Sequence, residues 1–340
     1  SFGWSSTRAD RSSVSSRWAT EMTHRAVNRC TGRRRALQQG AAIVVALLVV
    51  TLSAVVVSGL FWREQVAVRS VQNRLALAQA RWIERAALDW AKVVLRSDQR
   101  LGAVDHLGEA WALPVLETRL DETVTGGAKL DDSSRDAVLA GQVSDAQARF
   151  NLNSLAAGSG QVSVVHRDGL RKLLSMLGRS EAAAELITQR VLQSQPRLVQ
   201  GMTLPPTRGP LVRVADLLDV PGLDAATVRA LEPFCIVLPK PSLVNINTAS
   251  PEVIASLVPA IALPSAQRFV ARRERTFYRT LEQAAQDFDD RPTLSPAVFS
   301  VASAYFLASG VIRYERVESQ SETLLERLND RIDVLWQQRR

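Results

Sequence analysis

From Gly40 to Trp62 the chain carries no charged side chain: Ala41, Ala42, Ile43, Val44, Val45, Ala46, Leu47 and Leu48 open an apolar run that ends at Phe61 and Trp62. Arg33, Arg34 and Arg35 stand before it, Arg63 and Glu64 after it. At about 1.5 Å per residue such a run crosses the roughly 30 Å hydrocarbon layer as a helix, which predicts a membrane span. The arginines on its N-terminal side leave the N-terminus in the cytoplasm and everything after Trp62 across the membrane. The helical period then continues. Val66, Val71, Leu75, Ala78, Trp82, Ala86, Trp90 and Val93 recur at helical steps, with Arg69, Arg74, Arg81, Arg85 and Asp89 on other faces and neither Pro nor Gly between Leu60 and Ser97, apart from those ends. One helix of about 55 residues follows, and its wide apolar stripe needs a partner layer, most simply a sheet.

Strand-like patterning appears on both sides of a long helical middle. Glu109 to Leu116 reads as a short strand bent at Pro114, and Ala137 to Gly141 with Ala148 to Asn153 as a hairpin turning near Ser144 and Asp145. Near the C-terminus, Ala304 to Ala308 and Val311 to Arg316 are strand-like, and Thr323 to Leu328 with Arg331 to Trp336 form a hairpin around Asn329 and Asp330. Between them, Val164 to Leu177, Ser180 to Ser194, Val214 to Leu218, Ala225 to Leu231, Pro251 to Val258, Pro264 to Arg275 and Leu281 to Asp287 show helical spacing or caps, with Gln195 to Pro210 as a proline-rich linker. The pattern predicts an α+β fold whose antiparallel sheet is split by an all-helical insertion. The limits read as a leader 1–40, a span 41–62, a first sheet-and-helix part 63–153, an insertion 154–300 and closing strands 301–340.

Composition alters this picture little. The first forty residues hold +6 of the formal net charge of +8, so the high pI belongs to the leader and gives no support for a nucleic-acid partner. That Ser/Thr/Arg-rich leader cannot bury a core, and Met22 inside it is a candidate start. Cys30 and Cys235 lie on opposite sides of the span, which supports neither a disulfide framework nor a metal site. His24, His106 and His166 sit in no nucleophile motif, and there is no Gly-rich phosphate loop, so the inventory does not suggest an enzyme.

Basic residues before an apolar run suit a simple signal anchor, a secretory signal cut near Ser53-Ala54 or Ser58-Gly59, or a third class. Gln38-Gln39-Gly40 followed by Ala41-Ala42-Ile43-Val44-Val45 resembles a prepilin cleavage site, where a basic leader is removed after Gly and the apolar run stays on the mature protein. Together with Gly108-Glu109-Ala110-Trp111-Ala112, Asp145 through Asn153 (Asp-Ala-Gln-Ala-Arg-Phe-Asn-Leu-Asn) and Val244-Asn245-Ile246-Asn247-Thr248-Ala249, this junction resembles the type II secretion system minor pseudopilin K family. The resemblance covers nearly all of the chain after the leader. It implies a pilin-like fold, a long helix on an antiparallel sheet with a large helical insertion, and no chemistry by the protein itself. It further implies a place at the tip of the periplasmic pseudopilus with the minor pseudopilins I and J, alongside other pseudopilins and an inner-membrane assembly platform. A prepilin peptidase would cut after Gly40 and methylate Ala41, where pilins commonly carry Phe.

Counting from Ala41, the fifth residue is Val45, where most pilin-type subunits resemble one another in carrying Glu. A carboxylate in lipid is tolerable only when paired, there with the neighbouring subunit's amino terminus. A subunit without it suits a place with nothing above it. Leu217 to Leu223 and the stretch from Asn247 to Arg273 resemble helix-hairpin-helix modules, which elsewhere approach DNA phosphates through small glycines. Only Gly222 is kept, Ala260 and Ala262 replace the others, and Arg272, Arg273 and Arg275 read as a solvated face of a packing module. The resemblance makes calcium a candidate ligand, with Asp287, Asp289 and Asp290 the candidate residues and Asp131, Asp132 and Asp136 a second acidic turn. However, the acidic run that many members carry after the corresponding helix is here Gln193-Ser194-Gln195-Pro196. The expected function is to cap and nucleate the pseudopilus that drives export of folded proteins. The alternatives are a membrane-anchored periplasmic DNA-binding protein using the hairpin modules, a type IV pilus tip minor pilin, or a plain anchored scaffold.

Overall fold

The computed structural model describes residues 31–119, 137–157, 160–199, 202–314, 317–329 and 331–339. The leader's first thirty residues and the turn with Asp131, Asp132 and Asp136 lie outside them. The chain divides into two units at Val71 and Gln72. One helix, α1 (Thr31–Leu101), runs through both. In the first unit every residue from Ala41 to Val71 is exposed. The helix is long and apolar enough there to cross a membrane.

In the second unit α1 changes character. Ala76, Ala80, Ala91 and Leu95 are buried, and the small alanines let the helix lie close to a sheet. That sheet has the order β1-β2-β9-β10-β11, every pair antiparallel. Its strands are β1 (Val115–Arg119), β2 (Val138–Asp145), β9 (Tyr305–Tyr314), β10 (Val317–Leu328) and β11 (Arg331–Arg339). One cluster joins Ala91 and Leu95 to Trp111, Val143, Phe306, Leu325 and Ile332. A second joins Ala76 and Ala80 to Ala137, Ile312 and Tyr314. Glu84, buried on the same helix, accepts from Gln337 Nε2 at 2.6 Å and Arg339 Nε at 2.8 Å.

The long excursion between β2 and β9 carries β3 (Phe150–Asn151), α2 (Val164–Met176), α3 (Ala182–Gln193), β4 (Arg197–Val199), β5 (Met202–Leu204), α4 (Ala225–Leu231), β6 (Cys235–Ile236), β7 (Val244–Asn245), α5 (Pro251–Leu257), α6 (Leu263–Arg273), α7 (Leu281–Asp287) and β8 (Phe299–Ser300). Its own core includes Phe150, Leu170, Leu173, Ile187, Ile254, Phe269 and Phe288. Caps start the helices where the sequence signals them: Ser250 accepts from Val253 N, and Asp224 accepts from Thr227 N.

Several local expectations are corrected. Ala137 to Gly141 and Ala148 to Asn153 are not a hairpin: β2 pairs with β1 and β9, while β3 pairs in parallel with β6. The reason is Asp145, whose Oδ1 accepts from Gln147 N at 2.8 Å and turns the chain out of the sheet into a 3-10 turn. Glu109 to Leu113 is no strand. Glu109 Oε2 accepts from His106 N and Trp111 Nε1, closing a 3-10 turn at Ala110–Ala112, and the strand begins only at Val115. Val214–Asp219 is 3-10 rather than α, and the proline-rich linker holds a small ribbon of β4 and β5. The closing hairpin is found as expected in β10 and β11, with Asn329 at φ 49° in its turn.

Candidate functional site: an exposed helix face and a polar neck

The outward side of α1 in the second unit is apolar and uncovered. Leu75, Trp82, Trp90 and Val93 are all more than half exposed, on the helix whose Ala76, Ala80, Ala91 and Leu95 meet the sheet. Exposed Arg74, Arg81 and Arg85 stand among them and pair with no described carboxylate. A groove of about 740 Å³ runs between helix and sheet, lined by Trp82, Ile83, Trp90, Val143, Ala308 and Gly310. Aromatic side chains flanked by arginine are what protein interfaces enrich, which makes this uncovered apolar face a candidate for association.

Where the insertion leaves and rejoins the sheet, the motif asparagines form a buried polar neck. Asn245 Nδ2 donates to Asp105 O at 3.1 Å, Asp145 Oδ2 at 2.9 Å and Ser303 Oγ at 3.0 Å, while its Oδ1 accepts from Asn247 N at 3.0 Å. Asn247 brackets Tyr278, donating to its carbonyl and accepting from its N–H, both at 2.9 Å. Asn151 Oδ1 accepts from Asn153 N and Leu238 N, and Asn153 Nδ2 donates to Leu238 O at 2.6 Å. Thr248 Oγ1 and Ser303 Oγ each donate to Asp145 Oδ2 at 2.6 Å. Burial nevertheless pushes Asp145 up to about 6. The repeated asparagines therefore bracket backbone groups that no ladder satisfies, which fixes the neck rather than serving chemistry.

The model of type II secretion system protein K matches residues 148–240 and 244–303, the stretch that carries this neck. A curated relative, type II secretion system protein K of Pseudomonas aeruginosa, is 32% identical over 240 residues, covering 65% of this chain and 68% of the relative. The chain belongs to the type II secretion system protein K family. The family's protein from Pectobacterium carotovorum is 24% identical over 332 residues, covering 89% of this chain and 97% of its own. A chain in the crystal structure of the GspK-GspI-GspJ complex from enterotoxigenic Escherichia coli superposes with a TM-score of 0.62 at 22% identity, covering 79% of this chain and 99% of that one. The fold is thus pilin-like with a helical insertion, and the chain is a minor pseudopilin, a structural component of the type II secretion system.

Gly40, Ala41 and Val45 all lie inside α1, with Ala41 and Val45 exposed. Asp287, Asp289 and Asp290 form no metal-ligating group among the described residues; Asp287 and Asp289 face cations of the protein instead. Asp287 Oδ2 accepts from Arg272 Nε at 3.0 Å and Tyr278 OH at 2.5 Å, and Asp289 from Arg268 Nε at 2.7 Å. Arg272 Nη1 lies 3.3 Å from Asp289, and Asp290 Oδ2 accepts from Ser265 Oγ. Calcium takes six to eight oxygens aimed at one point, so carboxylates already turned toward two guanidinium groups do not fit such a site.

The solvated arginine face is also corrected. Arg273 is buried and donates from Nη1 to Ile246 O at 2.6 Å and Ala249 O at 2.8 Å, because α6 turns it onto carbonyls that the sharp turn into α5 leaves open. Arg272 is tied to Asp287, so of the three only Arg275 has no partner among the described residues. The other hairpin keeps Gly222 at φ 87°. Sequence reasoning missed a knot beside the neck. Arg327 Nη2 donates to both Asp105 oxygens at 2.6 and 2.7 Å and to Ser303 O at 2.7 Å, and Nη1 to Asp98 Oδ2 at 3.1 Å. Its guanidinium lies 4.7 Å above the Phe306 ring.

Proposed function

We propose that this protein caps and nucleates the tip of the periplasmic pseudopilus through the exposed face of α1, in a complex with the minor pseudopilins I and J. The observation that carries the reading is that face, where Trp82 and Trp90 stand exposed beside unpaired arginines on a helix continuous with a membrane-length apolar run. The related chain that superposes on this one was crystallised with GspI and GspJ, which supports those partners. The prepilin peptidase cuts after Gly40 and methylates Ala41. Val45, lacking a carboxylate, leaves nothing to neutralise an amine above it, as suits the top subunit. The anchor crosses the inner membrane once with the N-terminus cytoplasmic, the other pseudopilins and the assembly platform being its remaining partners. The parts are the span 41–62, the pilin-like portions 63–153 and 301–340, and the insertion 154–300. No catalysis and no nucleic acid belong to this role, and the inward Arg273 removes one cation a DNA-binding hairpin would use.

N-terminal sequencing and mass of the full chain from membranes, with and without active prepilin peptidase, test the processing. The expected result is a peptidase-dependent, singly methylated Ala41 that is lost in Gly40→Val; an uncut chain refutes it. For assembly, Trp82→Ala is expected to weaken co-purification with I and J by about tenfold or more, since interface tryptophans commonly carry about 2 kcal/mol or more. Undiminished association would move the interface elsewhere.

A further inference from the structure

Three backbone carbonyls converge on one ammonium inside the helical insertion. The turn from Val258 to Ala262 joins α5 to α6, and Ile261 N closes it by donating to Val258 O at 3.1 Å. A helix that stops at Leu257 leaves its last carbonyls without helical donors, at the negative end of the backbone dipole. Lys172 reaches that end from α2. Gly169, one turn before it, is what lets α2 come so near to α5, since a Cβ there would stand 2.9 Å from Leu257 Cδ2 and 3.2 Å from Ser256 O. Residues three apart share a helix face, so the same approach brings Lys172 over the turn. Its Nζ donates to Ile261 O at 2.7 Å, Val258 O at 3.1 Å and Pro259 O at 3.3 Å. An ammonium has three protons, and carbonyls take all of them. Among the described residues no carboxylate pairs with it.

We propose that this turn is a seat for a monovalent cation, which the chain fills with its own ammonium, and that a potassium-class ion enters it once Lys172 is removed. The donor set decides the class. Neutral carbonyls at these distances stand in for the hydration shell of a monovalent ion, as carbonyl rings do in potassium-selective filters. Calcium lies about 2.3–2.6 Å from its oxygens and draws on carboxylates, which this seat lacks among the described residues. Val258 and Ile261 are buried while Pro259 and Ala260 are exposed, so water completes an ion's shell from the open side. Tethering the cation has a thermodynamic consequence. A free ion fills its seat only as its concentration allows, whereas the lysine holds the turn whatever salt surrounds the protein. The seat belongs to the insertion alone and stands whichever partners the protein takes.

Equilibrium dialysis of the full chain in detergent against thallium(I), a stand-in for potassium, reads the seat directly. Lys172→Ala is expected to hold about one thallium per chain more than wild type, displaced by potassium chloride and not by tetramethylammonium chloride. Hydrogen exchange on a peptide spanning residues 251–263 gives the second readout. For a dissociation constant on the order of 30 mM, replacing tetramethylammonium by potassium at about 150 mM raises protection about sixfold in Lys172→Ala and leaves wild type unchanged. Lys172→Met keeps the apolar stem and serves if Lys172→Ala does not fold. Thallium held no better by the variant than by wild type, equal protection of the variant in the two salts, or a wild type that itself responds to potassium each overturns the proposal.

Discussion

Replacing Arg273 by methionine isolates one buried cation whose partners are all backbone. Methionine keeps an apolar stem at this buried position, while the carbonyls of Ile246 and Ala249 lose donors at 2.6 and 2.8 Å. A buried acceptor left without a partner costs about 1–3 kcal/mol, so two cost about 2–6 kcal/mol, offset in part by removing the desolvation penalty of the guanidinium. That penalty is real: burial pulls Arg273 down to about 10, which still leaves it charged at neutral pH. A net loss of about 3 kcal/mol lowers the melting temperature by about 6–12 °C for a unit of this size. Differential scanning fluorimetry on the full chain in detergent measures it, with Arg273→Lys recovering part of the loss because an ammonium can reach one carbonyl. A melting temperature within about 2 °C of wild type would refute the reasoning, since the carbonyls would then be served by something other than Arg273.

Gly169→Ala should destabilise even though alanine favours a helix by about 1 kcal/mol, because its Cβ would stand 2.9 Å from Leu257 Cδ2 and 3.2 Å from Ser256 O where α2 crosses α5. A net loss of about 1–2 kcal/mol in urea denaturation is expected, and a gain would show that α2 and α5 part without cost. Lys172 Nζ donates to the carbonyls of Val258, Pro259 and Ile261 at 3.1, 3.3 and 2.7 Å. Lys172→Met should cost about 1–2 kcal/mol, and a potassium salt should raise the variant's melting temperature more than a tetramethylammonium salt, since the emptied carbonyl ring suits a small cation. Equal effects of the two salts would mean the ring collapses without its lysine.

Elements carried by local periodicity were legible in the sequence: the long helix, α2 to α7 apart from one 3-10 turn, and the β10 to β11 hairpin with its Asn329 turn. Pairings that depend on distant partners were not. The strand after Ala137 looks like half of a local hairpin because its true neighbour, β9, lies on the far side of the insertion, and a one-dimensional pattern carries no trace of that. Asn151, Asn153, Asn245 and Asn247 mark the family as letters, but their role as backbone brackets needs the partners in place. Arg273 is the instructive miss. Ala266, Phe269 and Arg273 fall at helical spacing on one buried face, so the period did place it inward, and the assumption that arginine faces water overrode it. Asp98 and Arg327 are 229 residues apart, beyond any motif.

Asp145 and Phe306 sit opposite each other in the sheet, yet the chain travels through the whole helical insertion between them. Joining the ends of a flexible excursion of about 160 residues costs about 3 kcal/mol more than joining those of a four-residue turn. A folded insertion whose exits are already side by side carries that cost itself, so closing β2 on β9 across it asks no more of the chain than a short turn would. The same geometry makes the insertion a detachable cassette. A tight turn from Asp145 to Phe306 would leave the sheet's hydrogen-bond ladder intact, and an ordinary small pilin-like subunit could have acquired its bulky head at this one peptide junction without rebuilding the scaffold beneath it.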